Sequence, residues 1–274
     1  MKRKVYHTRK ISAIKPEIAI WNTEFGDKTL EEGAYEVRND EIYHILKKMY
    51  ILKGNVLDAG CGYGRWIKAF HDEKFSVYGV DFAKMGITTI AKSMPNIPLA
   101  IGDVRELPFK NNVFDVILSL GVMEHSENGP IQAIRESFRC LKPTGKLIVS
   151  VPLLSINRLI NPVIIARRII SSVNLFRYLF KKGEKLFFQY EFSINEFIMY
   201  LKQVGFKIHF WYPIWVKFGV EDDFKFLSKA IYPIIARFHC DSKGCNPEGA
   251  QYNSARDKFF RYFFSAFVIF IAEK

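Results

Sequence analysis

The stretch Val56-Leu57-Asp58-Ala59-Gly60-Cys61-Gly62-Tyr63-Gly64-Arg65 decides the fold of this chain. It opens with apolar residues typical of a short buried strand, and three glycines at every second position follow. Glycine lets the backbone turn sharply and lets a ligand approach closely, so the stretch predicts a strand, a tight loop and the start of a helix. A dinucleotide fingerprint, GxGxxG, would need glycine at position 65, where this chain has arginine.

Short apolar segments and segments with helical periodicity alternate from this stretch onwards. Predicted helices lie between and after predicted strands, which cover 55–59, 76–80, 98–101, 113–120 and 146–151. This alternation predicts parallel βαβ units in an α/β, doubly wound, Rossmann-like sheet. Sheets of this class bind ligands at the carboxyl ends of their strands.

The rest of the chain divides around this core. Residues 1–54 predict an N-terminal helical cap, with helical periodicity over 35–50. Residues 55–274 predict the main domain. It is interrupted by a basic, apolar insertion at 152–190 and by an irregular, aromatic-rich insertion at 217–262.

Three acidic residues lie at the carboxyl ends of three successive predicted strands. Asp58 precedes the first glycine, where it would repel a pyrophosphate but suits the sulfonium and ammonium groups of S-adenosylmethionine. Asp81 lies at the distance expected for accepting hydrogen bonds from ribose hydroxyls, and Asp103 could accept one from an adenine amine. Taken singly, a glycine loop can be a plain turn and an aspartate can be a helix cap, but their joint placement favours a cofactor site.

Residues 55–151 resemble the catalytic core of class I S-adenosylmethionine-dependent methyltransferases, particularly the small-molecule and lipid subgroup. The resemblance rests on five motifs: VLDAGCGYGRW (56–66), GVDFA (79–83), GDVRELPF (102–109), FDVILSLGVMEH (114–125) and LKPTGKLIVSVP (141–152). It implies a seven-stranded, mostly parallel sheet whose last strand is antiparallel. It also implies S-adenosyl-L-methionine as the cofactor.

The resemblance further implies which residues bind that cofactor. The glycine loop would line its methionine part, Asp58 would lie near its amino group, and Arg38 could pair with its carboxylate. Asp81, at the end of the second strand, would hold the ribose. The adenine would be contacted by Phe82 after the second strand and by residues after the third, and Leu120 of the fourth strand would contact the cofactor from its other side. The implied cofactor-binding residues are Arg38, Asp58, Gly60, Cys61, Gly62, Gly64, Asp81, Phe82, Asp103, Val104 and Leu120.

His125 is the candidate catalytic residue. It follows Glu124 after the fourth strand, close to the expected position of the methyl group, and an imidazole titrates near neutral pH. A general base is needed only if the acceptor must lose a proton. Two alternatives remain open: His125 could only shape its loop through a hydrogen bond, and Arg38 could be an ordinary surface arginine.

The positive charge of the chain is concentrated in one insertion. Of a net charge of +12, residues 152–190 contribute +6, from seven Lys and Arg against one Glu. Within that insertion, 162–182 predicts a basic amphipathic helix, which suits either an anionic membrane surface or a lid packed on the core. The core, 55–151, carries only +1, from 11 basic against 10 acidic residues, which makes nucleic acid a weaker candidate partner.

Three classes of function therefore stay open. The leading one is methyl transfer to a small-molecule or lipid-like acceptor, at an oxygen, nitrogen or carbon atom. The others are RNA or DNA methylation and non-catalytic cofactor binding. We expect no metal site, because the single Cys-x4-Cys cluster near His239 lacks a second half. A reducing, cytoplasmic location is expected, because the four cysteines do not form a disulfide framework and no signal peptide or apolar span is recognisable.

Overall fold

The computed structural model describes residues 2–8, 29–49, 53–156, 185–215, 261–263 and 265–274. Nine strands are assigned within these residues: β1 (Lys2–Thr8), β2 (Asn55–Ala59), β3 (Ser76–Asp81), β4 (Leu99–Ile101), β5 (Phe114–Leu120), β6 (Leu141–Pro152), β7 (Lys185–Phe192), β8 (Lys207–Ile214) and β9 (Phe267–Glu273). The helices are α1 (Leu30–Arg38), α2 (Glu41–Lys48), α3 (Arg65–Asp72), α4 (Lys84–Ser93), a 3₁₀ helix (Met123–His125), α5 (Ile131–Cys140) and α6 (Ile194–Val204).

Seven of the strands form one twisted sheet in the order β4-β3-β2-β5-β6-β9-β8. Strands β2 to β6 are mutually parallel, whereas β9 runs antiparallel to both of its neighbours, β6 and β8. The predicted doubly wound, Rossmann-like sheet with a single reversed strand is thus confirmed.

The sheet has a hydrophobic core on each face, because successive side chains of a strand point to opposite sides. Leu57 of β2 and Ile117 of β5 belong to one core, while Val56 and Leu118 belong to the other, and all four are essentially inaccessible to solvent. Burial on both faces explains why the central strands are continuously apolar rather than alternating in polarity.

The predicted helical cap is only partly helical. Helices α1 and α2 match the helical periodicity, and Thr29 and Glu32 form a capping box that begins α1. Residues 2–8, however, form β1, which pairs antiparallel with β7 in a separate two-stranded sheet. The prediction of a wholly helical cap missed this strand, because its hydrogen-bond partner lies about 180 residues further along the chain.

The two-stranded sheet is joined to the end of β6. The backbone N–H of Leu154 donates to the carbonyl of Phe192 at 2.9 Å, and Leu153 forms an isolated parallel bridge with Phe192. Strand β7 is also in contact with the 3₁₀ helix that follows β5. The small sheet therefore stands beside the carboxyl end of β5, where the site is expected.

Two other predictions fall mainly outside the described residues. The basic amphipathic helix at 162–182 is among the undescribed residues, and so is most of the insertion at 217–262. Among the described helices, none has the length and apolar character needed to cross a membrane.

Candidate active site

The glycine loop joins β2 to α3 at the carboxyl edge of the sheet. The backbone N–H groups of Gly60 and Cys61 both donate to the carbonyl of Val80, at 2.8 and 3.1 Å, which ties the loop to β3. Gly60 has φ +88°, and a Cβ there would lie 2.4 Å from a methyl carbon of Val122. Any larger residue would be both strained and obstructed, so glycine is required where the loop packs against Val122.

Asp58 lies at the end of β2, directly before this loop. The residue is 5% exposed, and no hydrogen-bond partner for its Oδ2 exists among the described residues. Burial raises its pKa to about 7, the nearby Arg65 lowers it, and the Asp81 charge raises it again. A buried carboxyl oxygen without a partner is costly, so this atom fits a cationic ligand group such as an ammonium.

Asp81, at the end of β3, organises the same loop. Its Oδ2 accepts from the backbone N–H of Gly62 and its Oδ1 from that of Ala83, both at 2.8 Å. Burial nevertheless raises the pKa of this carboxyl. Each carboxylate oxygen has two lone-pair sites, so Asp81 can still accept hydrogen bonds from the ribose hydroxyls assigned to it. The neighbouring Phe82 is 39% exposed, which leaves its ring open to a ligand.

Asp103, after β4, already has a partner. Its carboxylate accepts from Nε of Arg105 at 2.9 and 3.0 Å and from the backbone N–H of Arg105 at 2.8 Å. Burial raises the pKa of Asp103, but Arg105 outweighs it and the net shift is downward. An adenine amine would have to share this carboxylate with Arg105. Val104, three residues after β4, and Leu120, the last residue of β5, are half-buried and pack on opposite cores.

Two of the predicted cofactor residues lie differently from the expectation. Arg38 forms an ion pair with Asp72, the last residue of α3, whereas the glycine loop precedes the first residue of that helix. The pairing of Arg38 with the cofactor carboxylate is therefore not supported. The side chain of Cys61 is buried in the core, where its Sγ would lie 3.1 Å from a Cβ added at Gly79. The backbone of Cys61 is bonded within the protein, since its N–H donates to Val80 and its carbonyl accepts from Gly64.

Arg65 is a candidate cofactor residue that the sequence reasoning missed. It follows Gly64 directly, at the first position of α3. Its positive charge lowers the pKa values of Asp58 and Asp40, which burial raises. Its Cβ would lie 3.0 Å from a Cβ added at Gly33, so α1 packs over this end of the loop. The sequence already contained this signal. Arg65 is a cation next to the glycine loop, and it occupies the position at which a dinucleotide fingerprint would have its last glycine.

His125 lies at the end of the 3₁₀ helix, next to β7. Its Nδ1 is 2.8 Å from the carbonyl oxygen of Phe188, and its ring meets the Phe188 ring edge-on at 5.0 Å. Because a carbonyl can only accept, Nδ1 must carry the hydrogen, and in the neutral ring Nε2 is the basic nitrogen. The loop-shaping interpretation and the catalytic one are therefore compatible, since they use different nitrogens.

Glu124 is the second residue that the sequence reasoning missed. It is 1% exposed, and its Oε1 lies 3.8 Å from Nε2 of His125. Burial raises its pKa to about 8, against a lowering by a backbone hydrogen bond. The motif Glu-His was visible in the sequence, but burial of the glutamate was not.

The aromatic side chains of β7 divide into two groups: Phe188 contacts the His125 ring, whereas Phe187, Tyr190 and Phe192 pack on one another. Tyr190 is 3% exposed, stacks near Phe187 and Phe192, and its hydroxyl donates to the carbonyl of Glu127 at 2.8 Å. Lys2 of β1 lies over the Tyr190 ring, 4.5 Å from its centroid. Among the described residues no group of three or more His, Cys, Asp or Glu could hold a metal ion, and His239 lies outside them.

Comparisons with known proteins agree with this geometry. A family model described as a methyltransferase domain matches residues 57–149. A probable S-adenosylmethionine-dependent methyltransferase of Mycolicibacterium smegmatis is 29% identical over 131 residues, covering 46% of this chain and 50% of the relative. The demethylmenaquinone methyltransferase of Renibacterium salmoninarum is 35% identical over 97 residues, covering 35% and 40%. The chain thus spans about half the length of the curated relatives that it matches.

Solved structures show the same fold at low identity. The S-adenosylmethionine-dependent methyltransferase of Mesorhizobium loti superposes with a TM-score of 0.54 at 14% identity, covering 87% of this chain and all of that one. Residues 57–149 therefore form a class I S-adenosylmethionine-dependent methyltransferase domain. The cofactor of that class is S-adenosyl-L-methionine, and the residues at the glycine loop fit it.

Proposed function

We propose that this protein transfers a methyl group from S-adenosylmethionine to a small, largely apolar acceptor. The observation that carries the proposal is the carboxyl of Asp58, buried beneath the glycine loop with one oxygen unpartnered among the described residues. A folded protein keeps such a group at a cost in stability, and a cationic ligand group at this position would offset that cost.

The side chains around the loop can hold each part of the cofactor. Asp58 would accept hydrogen bonds from its ammonium group, and Arg65 is the cation available to its carboxylate in place of Arg38. Asp81 would accept from the ribose hydroxyls while still fixing the loop through Gly62. The adenine would lie between the exposed ring of Phe82 and the half-buried Val104, Asp103 accepting from its amine.

When bound, the cofactor supplies a methyl group on a sulfonium sulfur, which keeps the bonding electron pair as the methyl leaves. The protein's own task is to align the acceptor, exclude water and take up a proton where the acceptor carries one. His125 suits the last role, because the Phe188 carbonyl holds its hydrogen on Nδ1 and leaves Nε2 as the base. A proton moving from an acceptor hydroxyl to Nε2 leaves the O–H bonding pair on the acceptor oxygen.

The proposed acceptor class is supported by the aromatic ring beside His125. Phe188 of β7 meets the His125 ring edge-on, so an apolar or ring-shaped molecule suits this position better than a polyanion. One relative is named as a demethylmenaquinone methyltransferase, which supports a small-molecule acceptor at 35% identity over part of the chain. RNA or DNA methylation is the second candidate, favoured by the net charge of +12.

The anionic membrane surface also stays a proposal. It rests on the basic, apolar sequence of 152–190, with a net charge of +6, which would bring the protein to lipid-dissolved acceptors.

Isothermal titration with S-adenosylhomocysteine tests the cofactor assignment. Wild type should bind, and Asp58→Asn should weaken binding by at least about tenfold, since a hydrogen bond to a charged group contributes about 1.5–3 kcal/mol. Asp72→Asn, at the far end of α3, is the matched control and should leave binding unchanged. No binding by wild type would overturn the proposed function, and equal binding by Asp58→Asn would remove Asp58 from it.

A further inference from the structure

We propose that Glu124 and His125 share protons as one pair, in which Glu124 is a positioning residue that sets the basicity of His125. This inference rests on the proposed function, because it concerns the base that would serve methyl transfer. It names a role for a residue that the glycine loop and the cofactor do not need.

The geometry of the pair comes from the short 3₁₀ helix after β5. The backbone N–H of His125 donates to the carbonyl of Val122 at 3.1 Å, which closes the turn. The turn brings Oε1 of Glu124 to 3.8 Å from Nε2 of His125, within ion-pair distance. The glutamate is 1% exposed, whereas the histidine side chain is 17% exposed and so remains accessible to a small acceptor.

The other ring nitrogen cannot serve as the base. Nδ1 donates to the Phe188 carbonyl, so a proton taken from an acceptor must go to Nε2, the nitrogen next to Glu124. The ring then becomes an imidazolium, and an ionised Glu124 at this distance stabilises it. Burial strengthens that attraction, because charges interact more strongly away from water.

Glu124 also has an unfilled hydrogen-bonding capacity. Its Oε2 has no hydrogen-bond partner in the described ranges, so that oxygen can still accept or carry a proton. Its pKa, raised to about 8 by burial, lets it hold or release a proton near neutral pH. Two titrating groups this close lose their protons in steps that belong to the pair rather than to either residue.

Other charged groups near the pair are engaged at the surface. The loop after the 3₁₀ helix carries Glu127, which pairs with Lys4 of β1 at 3.7 Å. Lys2 of β1 lies over Tyr190, the titratable ring of β7. Strand β7 also carries the buried Glu191. A test of the pair must therefore separate Glu124 from its acidic neighbours.

Nitrogen-15 NMR of the imidazole rings provides that test. The His125 signal is assigned by its loss in His125→Gln and followed over pH in wild type, in Glu124→Gln and in the control Glu127→Gln. We expect the midpoint of His125 to fall by at least about one pH unit in Glu124→Gln and to stay within about 0.2 unit in Glu127→Gln, as a shared proton requires. An unchanged midpoint in Glu124→Gln would overturn the pairing.

Two further measurements test the Glu124–His125 pair independently of Glu124→Gln. If Glu124→Gln does not fold, wild type alone decides: a pair shows a two-step titration or a midpoint above the ordinary histidine value of about 6.5, and a single step at or below it refutes the pair. In Glu124→Asp, which keeps a carboxyl, the titration midpoint of His125 should lie closer to the wild-type midpoint than it does in Glu124→Gln. Titration with S-adenosylhomocysteine is run on every variant; its failure in wild type would count against the proposed function, whereas the NMR result bears only on the pair.

Discussion

Replacement of Asp58 by Asn should stabilise the ligand-free protein at neutral and alkaline pH while damaging cofactor binding. Asp58 is 5% exposed, and burial raises its pKa from the ordinary 3.8 to about 7. As the pH rises through this range, the unfolded chain releases the Asp58 proton before the folded protein does. Folding stability contributed by the protonated carboxyl is therefore complete below pH 3.8 and is lost as the pH rises to about 7.

The size of the effect follows from that difference in pKa. A difference of about 3 units at about 1.4 kcal/mol each gives a total loss of about 4 kcal/mol, of which about 3 kcal/mol falls between pH 5 and pH 8. Asparagine has nearly the same shape as the protonated carboxyl but cannot ionise. The variant should therefore lose about 3 kcal/mol less than wild type over the same interval.

Urea denaturation of wild type and variant at several pH values between 5 and 8 measures this difference. Asp115→Asn is a control of opposite sign. Burial raises the pKa of Asp115, but its ion pair with Lys142 and the backbone N–H of Asn55 lower it overall. Its charge therefore adds stability at neutral pH, and Asp115→Asn should be less stable than wild type at pH 8. Parallel pH profiles for wild type and Asp58→Asn would refute the description of Asp58 as a buried, weakly compensated carboxyl.

Three further predictions follow from the site and the sequence. Arg65→Ala should weaken S-adenosylhomocysteine binding by at least about tenfold in calorimetry, while Arg38→Ala leaves it unchanged; the reverse order would restore the original assignment of Arg38. His125→Gln should lower turnover of an accepted small molecule, measured with tritium-labelled cofactor, by about 10²–10⁴-fold with unchanged S-adenosylhomocysteine affinity; full activity would show that no base is needed. In liposome flotation, wild type should bind anionic vesicles, and a variant with glutamate at Arg167, Arg168, Lys181 and Lys182 should not bind them. Equal flotation of the two proteins, or flotation of neither, would contradict the proposed membrane binding.

The sequence by itself determined the sheet and the place of the cofactor loop. Strand β2 has the predicted limits, and the other core elements lie within a few residues of theirs, except that β6 begins earlier than predicted. This succeeded because strand and helix periodicity, glycine spacing and the acids after each strand are local properties, which neighbouring residues express directly. The motif also places Asp58 and Asp81 at one sheet edge, since parallel strands end together.

Only the tertiary structure decided which side chains meet. Arg38 pairs with Asp72 rather than facing the loop, and Arg65 takes up the position beside Asp58. The choice depends on how α1 crosses α3, and helix packing is not written in either segment alone.

The acceptor side depends still more on distant contacts. Glu124 becomes a buried carboxyl, and His125 acquires a fixed tautomer, because β7 packs against the 3₁₀ helix and offers the Phe188 carbonyl. Strand β7 is itself paired with β1, which lies about 180 residues earlier in the chain. Burial and hydrogen bonding set the chemistry of an ionisable group, and here both come from segments that the local sequence does not identify.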